Sequence, residues 1–285
     1  MTYIIEHNIF FYLAIFIFGT LIGSFISVVI ARWDSEEGFL TGRSRCTECK
    51  NTLKPWQMIP VVSWVFQRGC CAFCRNKISF HYPLLEMVTG LLFVVFTYKI
   101  LPLNGDILGT LFVTTTVFYL TLIAGLIAIF EIDRRTLYIP DIIVYPIAAL
   151  FVLLLLLDGV FLLGGGPLVF VPAYHNVDLL TIVTGLLVGG GIFGIIALVS
   201  KGKWMGWGDV KLGLLLGLTL GPVLAGLALY IAIVAGGLYG IVMLILKKYK
   251  KGDLVPFGPF MVLGALTALL FGDMLVRYIF PFLYN

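Results

Sequence analysis

The sequence predicts an all-α polytopic membrane protein of about eight transmembrane helices, with a small cytoplasmic zinc-ribbon-like segment between the first and second. Three observations carry that expectation. Mean hydropathy is +1.06, with 60% hydrophobic and only 12% charged residues, a balance no soluble domain of 285 residues keeps. The apolar residues are gathered into runs near the ~20 residues that cross a hydrocarbon core. Four of the five cysteines form two C-x-x-C pairs inside the one long polar stretch. The net charge of +4 is small, so its placement matters more than its sum, and no nucleic-acid partner is expected; the lipid bilayer is.

In order along the chain, Met1 to Asn8 carries no basic n-region, and no small-residue cleavage pattern follows Ile9 to Ala31. That first apolar run is therefore expected to be a retained membrane helix. The polar segment Arg32 to Tyr82 follows, holding Arg32, Arg43, Arg45, Lys50, Lys54, Arg68, Arg75 and Lys77 against Asp34, Glu36, Glu37 and Glu48. The positive-inside rule makes it cytoplasmic and puts the N-terminus outside. Further apolar runs lie at Pro83 to Leu101, Gly109 to Phe130, Ile142 to Leu163 and Asp178 to Ser200.

Val210 to Leu246 is too long for one span and contains Gly221-Pro222 as a breaker, so it reads as a helical hairpin with a short first leg. Phe257 to Leu283 is the last span. The joints holding Arg134-Arg135, Lys201-Lys203-Lys211 and Lys247-Lys248-Lys250-Lys251 then fall inside, whereas those at Pro102 to Asp106 and Gly164 to Asn176 carry no Lys or Arg. The expected organisation is a first helix (1–31), a tetracysteine segment (32–82) and a transmembrane core (83–285).

Cys46-x-x-Cys49 and Cys71-x-x-Cys74 have zinc-ribbon spacing, since each short loop can present two thiolates to one tetrahedral metal. A cytoplasmic location keeps thiols reduced, which favours a metal over disulfides. With no His between the pairs, four thiolates would close the site around a structural Zn²⁺. Free or redox-active thiols are the alternative, with Cys70 as the spare.

Two acids stand out. Asp209, in Met205-Gly-Trp-Gly-Asp-Val-Lys-Leu212, lies at the edge of an apolar run, where an ionisable side chain needs a reason. Gly206 and Gly208 leave room for another backbone, such as an extended peptide, to approach it. The plainer reading is a helix start, with Asp209 facing the positive end of the helix dipole. Asp133 closes the third span and is expected at a matching depth. Two carboxylates at hydrogen-bonding distance do not ionise together readily, so one keeps a proton: a base to activate water and an acid for a leaving amine. The plainer readings are a salt bridge from Asp133 to Arg134, Arg135 or Lys211, a helix cap for Asp141 after Pro140, and a solvated interfacial acid for Glu131. A transporter with the two acids in an ion pathway would place them near the midplane.

Six stretches together resemble one family over nearly the whole chain. They are Gly23-Ser24-Phe25, the two C-x-x-C pairs, Tyr82-Pro83-Leu84-Leu85-Glu86, Asp133 with Pro140-Asp141, Gly206-x-Gly208-Asp209-x-Lys211, and Pro256-Phe257-Gly258-Pro259. The chain resembles the type IV prepilin peptidases, membrane aspartic peptidases with a G-x-G-D motif.

The resemblance implies Asp133 and Asp209 as the catalytic pair. It implies cleavage of type IV prepilins or pseudopilins after the glycine that ends a basic leader, on the cytoplasmic face of a bacterial inner membrane. The tetracysteine segment implies the full-length form that also methylates the new N-terminus with S-adenosyl-L-methionine. Gly23, Ser24, Phe25 and Glu86 are then candidates for the methyltransferase side; Gly206, Gly208, Lys211, Pro256, Phe257, Gly258 and Pro259 are candidates for substrate binding or support, with Lys211 tuning Asp209. The alternative is a peptidase alone, its zinc segment a docking platform. Ser27 stands where the family often has Asn, and Arg32-Trp33 lacks the usual proline.

Overall fold

The computed structural model describes residues 9–33, 42–100, 110–161, 179–248 and 255–279. The joints 102–106 and 164–176, and Lys250 and Lys251, lie outside them. The chain forms two compact units, Met1–Ile107 and Leu108–Asn285.

In the first unit, α1 (Ile9–Arg32) packs along α3 (His81–Ile100), so the second apolar span keeps company with the first. The approach is close because α1 carries Gly19-x-x-x-Gly23. A Cβ on Gly19 would lie 2.7 Å from the Gly90 Cα, and one on Gly23 would lie 2.8 Å from the Glu86 Cα. Between these helices, residues 42–80 form a small module with a 3₁₀ turn (Pro55–Met58) and a one-turn helix α2 (Val62–Phe66).

The second unit contains α4 (Thr110–Thr136), α5 (Asp141–Phe161), α6 (Leu179–Val199), α7 (Trp207–Ile245) and α8 (Gly258–Ile279). α4 continues past the expected Phe130, which puts Asp133 inside its last turn. In α6 the stretch Leu187–Gly191 is π-helical. Two G-x-x-x-G seams meet there: Gly185 and Gly189 of α6 face Gly213 and Gly217 of α7, so close that a Cβ on Gly213 or Gly217 would run into a carbonyl of the other helix.

α7 is broken at Gly221, whose φ of 73° and ψ of 173° a glycine tolerates and a helix does not, and Pro222 disfavours helical geometry in the residue before it. The break reverses the chain. Gly208 packs on Ile139, beside the end of α4, while Gly236 packs on Phe257 and Phe260, next to the Gly258 that binds Asp133. A straight helix would separate residues 208 and 236 by about 42 Å. Both instead lie at the Asp133 end of the unit, as the expected hairpin requires.

Among the described residues six helices are long and apolar enough to cross a membrane, where eight spans are expected. The difference has two sources. α5, 21 residues long, enters that count only through its apolar part Asp141–Leu156, which stands apart as a shorter helix. The two legs of α7, joined at Gly221, count as one helix of 39 residues, Trp207–Ile245.

Candidate active site

Asp133 is placed by the last turn of α4 and is only 4% exposed. Its Oδ2 accepts the Gly258 N–H at 3.0 Å, so it faces the N-terminal end of α8, where free N–H groups and the helix dipole favour a negative partner. A Cβ on Gly258 would lie 2.6 Å from that oxygen. The P-F-G-P turn, which sequence alone reads as a helix start, thus also delivers a donor to one of the acids. Pro256 and Phe257 are half-buried and Pro259 buried behind it, with Phe257 edge-on to Phe193 of α6 at 5.7 Å.

Asp209 occupies the third position of α7, after the N-cap Gly206. Its carboxylate accepts the Gly206 N–H, one half of a capping box, and lies within electrostatic reach of Asp133. The helix-start reading and the paired-acid reading of Asp209 therefore hold together. Gly208 serves close packing on Ile139, 3.1 Å from where its Cβ would stand, while Gly206 is exposed beside the carboxylate.

The neighbouring cations are engaged elsewhere. Arg134 and Arg135 both reach Glu131, at 2.9 and 3.4 Å. Glu131 is 4% exposed, so it is a buried ion-pair acceptor and not the solvated acid expected. Lys211 donates to both oxygens of Asp141, at 2.7 and 2.9 Å, with its ammonium 5.7 Å from the Tyr145 ring. Asp141 is thus an ion-pair partner as well as the first residue of α5, and the carboxylate Lys211 binds is Asp141, not Asp209. Both Asp133 and Asp209 lie in terminal turns of their helices, not at a mid-helix position such as a transporter site uses.

In the first unit, the sulfurs of Cys46, Cys49, Cys71 and Cys74 all lie within 4.8 Å of one another, and Cys46 Sγ is 3.9 Å from Cys74 Sγ. A tetrahedral zinc with bonds of about 2.3 Å spaces its sulfurs by about 3.8 Å, so the four residues fit the metal. Each pair belongs to the same short unit, C-x-x-C-[Lys/Arg]-Asn. In one, the Lys50 N–H binds the Cys46 carbonyl and Cys46 N–H binds Asn51; in the other, Arg75 binds Cys71 and Cys71 binds Asn76, with Lys50 and Arg75 both left-handed at φ 58° and 61°. This small repeat is visible in the sequence and follows each C-x-x-C. Cys70 pairs with Lys77 across a β-bridge, as Arg45 pairs with Thr52, and stands outside the cluster. The Cys74 and Phe73 N–H groups lower the Cys71 thiol to about 7, while at Cys74 the Asn76 N–H is outweighed by desolvation and the neighbouring Cys49, Cys71 and Cys46 thiols, which push it up to about 11.

Gly23, Ser24 and Glu86 meet, but they are occupied with one another and with the module. Glu86 Oε2 accepts the Val61 N–H at 2.7 Å, its carboxylate also takes the Ser24 hydroxyl, and Gly23 closes the space beside its Cα. Phe25 is exposed.

The description "Bacterial Peptidase A24 N-terminal domain" matches residues 17–100, and "Type IV leader peptidase family" matches residues 120–241. A prepilin leader peptidase/N-methyltransferase of Neisseria gonorrhoeae is 33% identical over 268 residues, covering 85% of this chain and 84% of its own. The Stutzerimonas stutzeri protein of that name is 30% identical, covering 92% and 91%. The chain belongs to the type IV leader peptidase family. Its Bacillus subtilis member is 28% identical over 93% of this chain and 96% of its own. No solved structure matches. The two family descriptions fall within the two compact units, the cysteine cluster in one and both acids in the other.

Proposed function

We propose that the chain removes the leader of type IV prepilins or pseudopilins, with Asp133 and Asp209 as the acid–base pair, and methylates the new N-terminus with S-adenosyl-L-methionine. The observation that carries the peptidase reading is the convergence of two carboxylates from separate helices at one end of the second unit, each held by a backbone N–H and, among the described residues, neither in an ion pair. One carboxylate accepts a proton from water as its oxygen attacks the scissile carbonyl; the protonated partner gives its proton to the leaving amine. The exposed Gly206 edge beside Asp209 is where an extended peptide meets the pair. The positive-inside distribution of Lys and Arg supports a cytoplasmic active site in a bacterial inner membrane, which matches a basic leader retained on that side.

Cys46, Cys49, Cys71 and Cys74 would hold one zinc, which supplies a structural cross-link. Methyl transfer rests on the paired names of the relatives, and no step of it is assigned to Gly23, Ser24, Phe25 or Glu86. Asp133→Asn and Asp209→Asn should each lower leader cleavage by at least about 10²-fold while the protein still inserts. Cleavage retained by either variant removes the pair. Incubation with a prepilin and labelled S-adenosylmethionine separates cleavage alone from cleavage followed by methylation.

A further inference from the structure

Glu86 lies about 7.5 Å along α3 from His81, and α3 needs nearly all its ~30 Å to cross a hydrocarbon core. An acid at that depth is costly unless polar groups reach it. The cysteine module supplies one of them, because the Val61 N–H binds the buried carboxylate at 2.7 Å. Val61 is a β-branched residue held at φ 61° and ψ −53°, a strained conformation that this charge-assisted hydrogen bond offsets. The module is therefore seated against the first turns of a membrane helix.

Val61 is also the N-cap of α2, whose Val62, Val65 and Phe66 form one face, 45%, 61% and 82% exposed. Ile59 and Met58 extend that apolar surface on the other side of Val61. The remainder of residues 42–80 is basic: Arg43, Arg45, Lys50, Lys54, Arg68, Arg75 and Lys77 against Glu48 alone. We infer that the α2 face, Val62, Val65 and Phe66, dips into the headgroup–acyl boundary of the bilayer and holds the zinc module down on a phospholipid surface. An apolar face continuous with a residue that binds a membrane helix, in a module of basic composition, has the chemistry of an interfacial anchor. A soluble docking patch would need no tie to Glu86.

The test is photo-crosslinking of the full-length protein, with p-benzoylphenylalanine replacing Phe66 or, separately, Val65, in vesicles of phosphatidylethanolamine and phosphatidylglycerol. Replacement of Phe10, on the exposed face of α1, gives the reference yield of lipid adducts. Retained zinc shows that each variant is folded. Lipid adducts at Phe66 and Val65 comparable to those at Phe10 support the anchor, as does their loss in a Glu86→Leu background, where the acceptor for the Val61 N–H is gone. Absence of lipid adducts at both positions, or adducts to added prepilin in their place, overturns it.

Discussion

Asp133 is followed in the chain by two arginines and binds neither; both turn back to Glu131 one turn earlier on α4, and Asp133 receives a backbone N–H from α8 instead. Sequence shows the cluster of charges but not its pairing, because all three candidate cations lie within reach of more than one acid. The structure divides them: Glu131 takes the arginines, Asp141 takes Lys211, and Asp133 and Asp209 each take a backbone N–H. Gly258→Ala should therefore act as a positioning defect, since the new Cβ falls on the Asp133 oxygen. We expect cleavage to fall about as far as a misplacement near 1 Å permits, roughly 10²-fold, with insertion and zinc content unchanged. Wild-type cleavage by that variant would show that Asp133 has another way to be held. Lys211→Met should leave Asp141 without its partner and loosen the join of α5 to α7. Because both side chains are part-exposed, the stability cost is expected at about 0–1 kcal/mol, and the charge exchange Lys211→Asp with Asp141→Lys should recover it in thermal unfolding.

At the scale of elements, hydropathy and Gly221-Pro222 were enough to read the hairpin in α7, because a left-handed glycine before proline ends a helix wherever it stands. The close packing of α6 on α7 was written in the sequence as well, as Gly185-x-x-x-Gly189 and Gly213-x-x-x-Gly217, but spacing alone does not say which helix each seam meets. Glycine is common in membrane helices, and a diffuse excess hides the two places where it sets a contact. The seam carries weight because the first leg of α7 holds Asp209 at its start, and α6 is a wall against that leg. Gly217→Leu overfills a site whose nearest neighbours are backbone atoms, so it should cost about 1–3 kcal/mol or more and lower the unfolding temperature. Cleavage should fall with it through displacement of Asp209; a variant with wild-type melting and activity would mean that the two helices separate without consequence.

For the molecule as a whole, composition announced the membrane and six short motifs announced the family, while the position of each side chain within its motif stayed hidden. Glu86 shows why: a glutamate early in a helix does not disclose from sequence that its carboxylate accepts the Val61 N–H, at 2.7 Å, from the cysteine module. The two-unit division makes a further expectation specific. The cysteine module has few large buried side chains of its own among residues 42–80, so its order should depend on the metal that links its two C-x-x-C-[Lys/Arg]-Asn turns. Purified protein should contain about one zinc per chain. Cys46→Ser with Cys49→Ser removes half the ligands and should release it. Limited proteolysis then distinguishes a structural metal from an incidental one: after zinc loss, cuts should appear within residues 42–80 while fragments of the second unit stay intact. Zinc bound at wild-type stoichiometry in the double variant, or a module equally resistant without metal, would show that the four sulfurs do not form the site their spacing describes.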